Sequence, residues 1–180
     1  MMNGSINSND SWTSTLPAGS PRPGLILGCG NPSRGDDALA PALLAQLALT
    51  MPPALAIWFD LLEDFQLQIE HTVDMERRQL VLFIDASLDA PAPFELQPLS
   101  HSRPCGYTTH AMTPAQLWGL FQQLHPQQQP QLWQLALRGY QFELGAPLSQ
   151  AAQQNLQQSL DYLLQWLGQY ASGWQQRSTD

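Results

Sequence analysis

The sequence predicts an α/β fold: a single three-layer domain in which helices cover both faces of a largely parallel, twisted sheet. Two short apolar runs, GLILGC (24–29) and LVLFIDA (80–86), are typical of strands that are buried on both faces. Segments with Leu at helical spacing alternate with these and with further apolar runs. Such alternation favours parallel strands that are joined by crossover helices.

The predicted elements follow one another in strand–helix order. Strands are predicted at 24–29, 54–60, 80–86, 94–99 and 132–140, and helices at 37–50, at 65–75, from Thr113, and from GAPLS to about Gly168. Pro41 suits the first helix only in its first turn, where a missing N–H costs little. Thr113, Pro114 and Gln116 form a capping-box pattern with proline at the first helical position. The strand at 94–99 is expected at a sheet edge, because Pro98 cannot donate to a ladder.

The chain length of 180 residues suits one domain with a single core. We assign the α/β domain to residues 24–168. Residues 1–23 are rich in Ser, Asn, Gly and Pro and are predicted to form a disordered arm, and residues 169–180 a frayed tail. A hydrophobic fraction of 43% and six Trp are typical of a globular chain.

The charge excludes two classes of partner. Fifteen acidic residues oppose seven basic ones, all of them Arg, and the formal net charge is -8. A chain without a basic patch is poorly suited to bind nucleic acid or an anionic membrane surface. The sequence shows no apolar run of about 18 residues, no secretory signal and only two Cys, so we expect a cytoplasmic protein with reduced thiols.

The turn after the first strand, GCGNPSRGDD, has two glycines of a dinucleotide-binding loop. Gly28 and Gly30 match the first two glycines of GxGxxG, but Ser33 replaces the third. Asp36 and Asp37 would then face a pyrophosphate at a helix N-terminus, where the fold normally supplies attraction for negative charge. The acidic pair therefore disfavours a nucleotide site.

A metal site is the alternative reading of the same turn. Ligands of parallel α/β sheets bind beyond the carboxyl ends of the strands, where Asp37 and Asp85 are both expected. With His110, from the loop before the capped helix, they would offer two oxygens and one nitrogen to a borderline ion such as nickel or zinc. Two structural readings stay open: an aspartate near a helix start is a common N-cap, and Asp85 could be a turn residue.

The remaining thiols and imidazoles carry weaker signals. His101, Cys105 and His110 share one loop but lack a CxxC or HExxH pairing. Cys29 is expected to be a small core residue rather than a nucleophile. His71 is expected on a helix surface.

Four motifs, in order from about residue 24 to 168, carry a resemblance to a known family. GLILGCGNPSRGDDALAP resembles the N-terminal signature of the hydrogenase maturation endopeptidases, and LVLFIDAS resembles their second motif. TTHAMTPAQL resembles the third motif, a histidine shortly before a helix. RGYQFELGAPLS resembles the segment before the last helix in the branch that serves bidirectional, NAD-linked hydrogenases.

The resemblance implies both a fold and an activity. Members of the family have a twisted sheet with helices on both faces and cleave a C-terminal extension from the [NiFe] hydrogenase large-subunit precursor after nickel insertion. It implies that Asp37, Asp85 and His110 contact nickel carried by the substrate, so no permanent cofactor is expected. The expected partner is the large-subunit precursor, and no catalytic Ser or Cys is established for the family.

Supporting roles follow from the same resemblance. Gly28, Gly30 and Asn31 would shape the backbone between strand and site, and Asp36 would orient Asp37 or cap the helix. The chain has Ala146 where many relatives of this branch have Glu. Two other functions are carried as alternatives. LGCGNP also resembles the opening of peptidyl-tRNA hydrolase, although no catalytic His and Asn follow the turn and the net charge is unsuited to tRNA. The second alternative is a nickel-dependent hydrogenase assembly chaperone that does not cleave its partner.

Overall fold

The computed structural model describes residues 20–99 and 112–177. The strands of this part are β1 (Gly24–Cys29), β2 (Phe59–Asp64), β3 (Leu80–Ser87), β4 (Phe94–Pro98) and β5 (Gln131–Arg138). Its helices are α1 (Leu39–Thr50), α2 (Pro53–Ala56), α3 (His71–Asp74), α4 (Pro114–Leu124) and α5 (Gln150–Arg177), and a 3-10 turn at Gly35–Ala38 precedes α1. No helix of these residues is both long and apolar enough to cross a membrane.

The strands form one sheet in the order β2-β1-β3-β5-β4, and the predicted α/β fold is confirmed. The first four strands of this order are parallel, and β4 pairs antiparallel with β5 at the edge, as Pro98 predicts. One apolar core lies between the sheet and helices α1, α2 and α5. A second core, which includes α4, lies on the opposite face.

The crossovers from β1 and β3 diverge, which creates the crevice of this fold. The chain leaves β1 through α1 on one face and reaches β2, on one side of β1. It leaves β3 towards β4 and α4, on the opposite side and the opposite face. Between two such strands, the carboxyl ends are left uncovered at a topological switch point. A ligand site is therefore expected where β1 and β3 end.

Local sequence signals correctly predict several elements. Pro41 lies in the first turn of α1. Thr113 caps α4 and its hydroxyl accepts from the N–H of Gln116, whose side chain accepts from the N–H of Thr113 in return. These two reciprocal bonds complete the predicted capping box.

Three predictions about element bounds are wrong. The strand predicted at 54–60 is instead the helical turn α2 followed by β2, because Pro53 starts a helix and the apolar run packs as a buried turn. Of the helix predicted at 65–75, only α3 is helical. The last helix does not end at Gly168. It continues to Arg177, since buried Ala171 and Trp174 extend its apolar face.

The end of the predicted N-terminal arm belongs to the fold. The Arg22 guanidinium donates to the carbonyls of Ala56 (2.8 Å) and Phe59 (2.7 Å). The carbonyl of Pro23 accepts from the N–H of Gln79 at 2.7 Å. Residues 1–19 and 178–180, the rest of the arm and the tip of the tail, lie outside the described residues.

Candidate functional site

Gly28, near the end of β1, and Gly30, just after it, allow a close approach to α1 and to the 3-10 turn. A Cβ on Gly28 would lie 2.8 Å from Leu44 Cδ1, and one on Gly30 would lie 2.1 Å from the carbonyl oxygen of Asp37. Side chains at these positions would therefore push the turn away from the residues that follow it. The predicted role of these glycines, which is to shape the backbone between strand and site, stays a prediction.

Asp37 is held from the turn itself. Its Oδ2 accepts from the backbone N–H of Asn31 at 3.1 Å. The side chain of Asn31 closes the turn, with Oδ1 accepting from the N–H of Ser33 at 2.9 Å. This arrangement leaves Asp37 half-buried at the carboxyl end of β1.

Asp85 lies near the end of β3, the neighbouring strand. Desolvation by the surrounding protein and the charge of Asp37 raise its pKa to about 6, although a hydrogen bond from the N–H of Ala86 acts in the opposite direction. The side chain is nevertheless exposed to water. Exposure and desolvation coexist because the carboxylate stands in a concave site, open on one side and enclosed on the others.

Both carboxylates line one cavity of about 590 Å³. Its apolar lining comes from the sheet and from both flanking loops: Leu27, Leu67, Phe83, Leu99 and Met112. Polar side chains at the wall are Arg34, Gln66 and Gln134. The structure thus brings together two of the three predicted metal-contacting residues at the switch point of the sheet.

Cys29 also lines this cavity, but its chemistry is that of a structural thiol. Burial, together with the charges of Asp85 and Asp64, raises the pKa of the thiol to about 12. The thiolate is the nucleophilic form, so Cys29 is not activated for attack at neutral pH. The interpretation of Cys29 as a core residue agrees with its position in the core on the α4 face.

The predicted third ligand, His110, lies outside the described residues, as do His101 and Cys105. Within the described residues, no group of three His, Cys, Asp or Glu side chains is placed to hold a metal ion. The prediction that His71 lies on a helix surface is wrong. It is only 5% exposed; its Nδ1 accepts from the N–H of Gln68 at 2.9 Å, and its Nε2 lies 3.4 Å from Asp64.

Of the two roles that the sequence suggests for Asp36, helix cap or orientation of Asp37, the structure argues against the cap. Its side chain makes no helix cap, and it is fully buried. The carboxylate accepts from the N–H groups of Tyr140 (2.7 Å), Gln141 (3.1 Å) and Ser149 (2.7 Å) and from the Ser149 hydroxyl (2.8 Å). Burial alone would raise its pKa, but these hydrogen bonds outweigh burial and leave the pKa below its ordinary value.

Solved hydrogenase maturation proteases share the fold of this chain. The hydrogenase maturating endopeptidase HybD from E. coli superposes with a TM-score of 0.63 at 19% identity, over 82% of this chain and 93% of that chain. The [NiFe] hydrogenase maturation protease HycI from Thermococcus kodakarensis gives 0.61 at 16% identity, over 84% and 95%. The hydrogenase 2 maturation peptidase from a Thaumarchaeota archaeon gives 0.57 at 18%, over 82% and 99%.

No protein-family model and no curated protein matches the sequence. At 16% to 19% identity, the superpositions establish the fold. The fold and the cavity together define a three-layer α/β protein that shares its fold with the solved hydrogenase maturation proteases and has two carboxylates at its switch point.

Proposed function

We propose that this chain is an endopeptidase that removes the C-terminal extension of a [NiFe] hydrogenase large subunit and that reads nickel already held by that substrate. One observation carries the proposal: Asp37 and Asp85 share a cavity at the switch point of a hydrogenase maturation protease fold. Among the described residues, neither carboxylate forms an ion pair. The two carboxylates outnumber Arg34, the cation of the described lining, so the cavity favours a cation as the ligand.

His110 is the proposed third contact, on the strength of its motif and of covalent connectivity. Met112 and Thr113 line the cavity, and His110 precedes Met112 by two positions. This short connection to the cavity wall supports His110 as the nitrogen donor beside the two carboxylates.

The proposed mechanism uses the chain to position the substrate. Asp37, Asp85 and His110 bind the nickel of the precursor, which brings the nearby peptide bond into the cavity. The nickel can polarise the peptide carbonyl or a water molecule. Water is the proposed nucleophile, because the thiol that lines the described part of the cavity, Cys29, has a raised pKa and is not activated for attack. Cleavage would then depend on metal loading of the substrate.

The test is incubation of the chain with nickel-loaded and nickel-free precursor, followed by intact mass measurement. We expect loss of the C-terminal extension in the loaded sample alone. Equal cleavage of both samples would remove nickel from the proposal and leave a protease. Tight binding of the loaded precursor without a change in mass would instead identify an assembly chaperone.

The peptidyl-tRNA hydrolase alternative gains no support from the cavity. Its described lining contains no His and no Asn, the residues which that chemistry needs. Its acidic groups, together with a net charge of -8, would repel the phosphates of tRNA.

A further inference from the structure

The segment RGYQFELGAPLS, residues 138–149, loops back over the turn that carries Asp37. Both ends of this segment donate to the Asp36 carboxylate: Tyr140 and Gln141 from one end and Ser149 from the other. Asp36 is 0% exposed, so its four acceptor contacts replace those that water would make. The segment therefore holds a buried charge that a shorter or shifted loop would leave unsatisfied.

Backbone hydrogen bonds join the same two stretches. The N–H of Asp36 donates to the carbonyl of Gln141 at 2.7 Å, and the N–H of Gly35 donates to that of Ala146 at 3.0 Å. In the other direction, the N–H of Gly145 donates to the carbonyl of Ser33 at 2.7 Å. Three residues that come shortly before Asp37 in the turn are thus hydrogen-bonded to the segment: Ser33, Gly35 and Asp36.

Two glycines make this contact close. Gly35 has φ of 54°, and a Cβ there would lie 2.5 Å from the carbonyl oxygen of Gln141. A Cβ on Gly139 would lie 3.0 Å from the Cβ of Asp36 and 2.8 Å from Phe142. At Gly35 the backbone of the segment leaves no room for a side chain, and at Gly139 an added Cβ would crowd Asp36 and Phe142.

Ser149 connects the segment to the core. Its hydroxyl donates to Asp36 and accepts from the N–H of Ala152 at 3.2 Å, which makes Ser149 the N-cap of α5. The apolar face of α5 is buried against the sheet. The Asp36 turn is thus tied to a long, buried helix on the side away from the cavity.

We infer that Asp36 is a positioning residue: through residues 138–149 it fixes the turn that places the Asp37 carboxylate in the cavity. Its effect on cleavage rests on the proposed function. Asp37 itself makes no hydrogen bond to the segment; its N–H donates to the carbonyl of Arg34 and its side chain accepts from Asn31. Its position therefore depends on the residues beside it, and a displacement of about 1 Å can lower a rate about 100-fold.

The test variant is Asp36→Asn, which keeps size and shape but turns an amide N–H group towards the donors of residues 140–149. We expect kcat for the nickel-loaded precursor to fall about 10- to 100-fold, with a smaller change in KM, at temperatures where the variant stays folded. Ser149→Thr keeps the hydroxyl and should retain activity, whereas Ser149→Ala should lower kcat. Ser159→Ala, which removes a buried hydroxyl from within α5 and does not contact Asp36, is the control and should leave kcat unchanged.

Amide hydrogen exchange provides a readout that does not need activity. In Asp36→Asn, the amides of Gly35, Asp36 and Asp37 should lose protection while those of β1 and β3 keep it. If wild type fails to process the precursor, the proposed function fails, and exchange still tests whether Asp36 holds the turn. If wild type processes and Asp36→Asn processes at the wild-type rate, or if exchange at the turn is unchanged, the positioning role is wrong.

Discussion

Asp60, at the amino end of the sheet, and the pair Asp37 and Asp85, at the carboxyl end, differ in their charged partners. At the amino end, Asp60 of β2 forms ion pairs with Arg22 (3.4 Å) and with Arg78, whose side chain is only 8% exposed. At the carboxyl end, Asp37 and Asp85 form no ion pair with any described residue, and their mutual repulsion helps to raise the pKa of Asp85. At the amino end, the charge of Asp60 is neutralised by arginines of the fold. At the switch point, the charges of Asp37 and Asp85 are left available to a ligand.

The largest expected effect comes from removing charge at each end separately. Asp37→Asn and Asp85→Asn should each lower processing of nickel-loaded precursor at least about 100-fold, because each loses an anionic ligand to the metal. Asp60→Asn should leave processing unchanged and destabilise the fold by about 1–3 kcal/mol, since Arg78 loses its charged partner. Single-turnover cleavage and urea unfolding of the three variants measure the two quantities.

Substitutions at the carboxyl end should therefore affect processing, and the substitution at the amino end should affect stability. A result at either end can contradict this expectation. Full processing by Asp37→Asn or Asp85→Asn would remove that carboxylate from the site. Loss of processing by folded Asp60→Asn would show that the amino end also serves the reaction.

The second effect concerns the stability of the amino end. The Trp174 ring, 4% exposed, packs against Phe59 with ring centroids 5.3 Å apart and against Trp58 at 6.0 Å. Trp174→Ala should therefore cost about 3–5 kcal/mol of unfolding free energy in urea, with processing retained wherever the protein stays folded. Leu49→Ala, at a side chain 86% exposed, is the control and should change stability by less than about 0.5 kcal/mol. An equal, small cost for both variants would mean that Trp174 is not packed in solution.

The third effect is the pH dependence that Asp85 imposes on stability. Its pKa is about 6 in the folded state against 3.8 for an ordinary aspartate, so between these values the folded state binds more protons than the unfolded state. Unfolding free energy therefore falls as pH rises from about 4 to about 6. Asp85→Asn removes this loss, and its Tm should exceed that of wild type at pH 8 and match it at pH 4. A variant less stable than wild type at pH 8 would contradict the desolvation of Asp85.

Sequence patterns could place the site carboxylates but not the network behind them. Asp37 and Asp85 each follow a strand that its apolar run identifies, and carboxyl ends of parallel strands meet at one edge. The partners of Asp36 lie 104 to 113 positions away, and no local rule of turn or cap chemistry connects such distant residues. The motif at 138–149 marks this segment in the sequence, but its spacing does not show that the segment donates hydrogen bonds to Asp36.

The wrong element bounds have the same origin. The run ALAIWF is apolar enough for a buried strand, but it packs as a helical turn because Pro53 starts that turn and Leu55 is buried. Gly168 predicts a helix end from propensity alone, and tertiary packing of α5 overrides it. In both cases the residues themselves allow either conformation, and the burial of apolar side chains, Leu55 in α2 and Trp174 in α5, favours the helix.

The smallest expected effect tests whether α5 continues past Gly168. Gly168 lies inside α5 with no atom near the position of an added Cβ, so Gly168→Ala should raise the unfolding free energy by up to about 1 kcal/mol. Gly145 is the matched control: a Cβ there also meets nothing, but its φ is 80°, and Gly145→Ala should destabilise the fold. The two substitutions add the same methyl group to equally open positions and differ in backbone conformation. Urea unfolding should therefore separate them by sign, and destabilisation by Gly168→Ala would mean that the helix ends near residue 168 in solution.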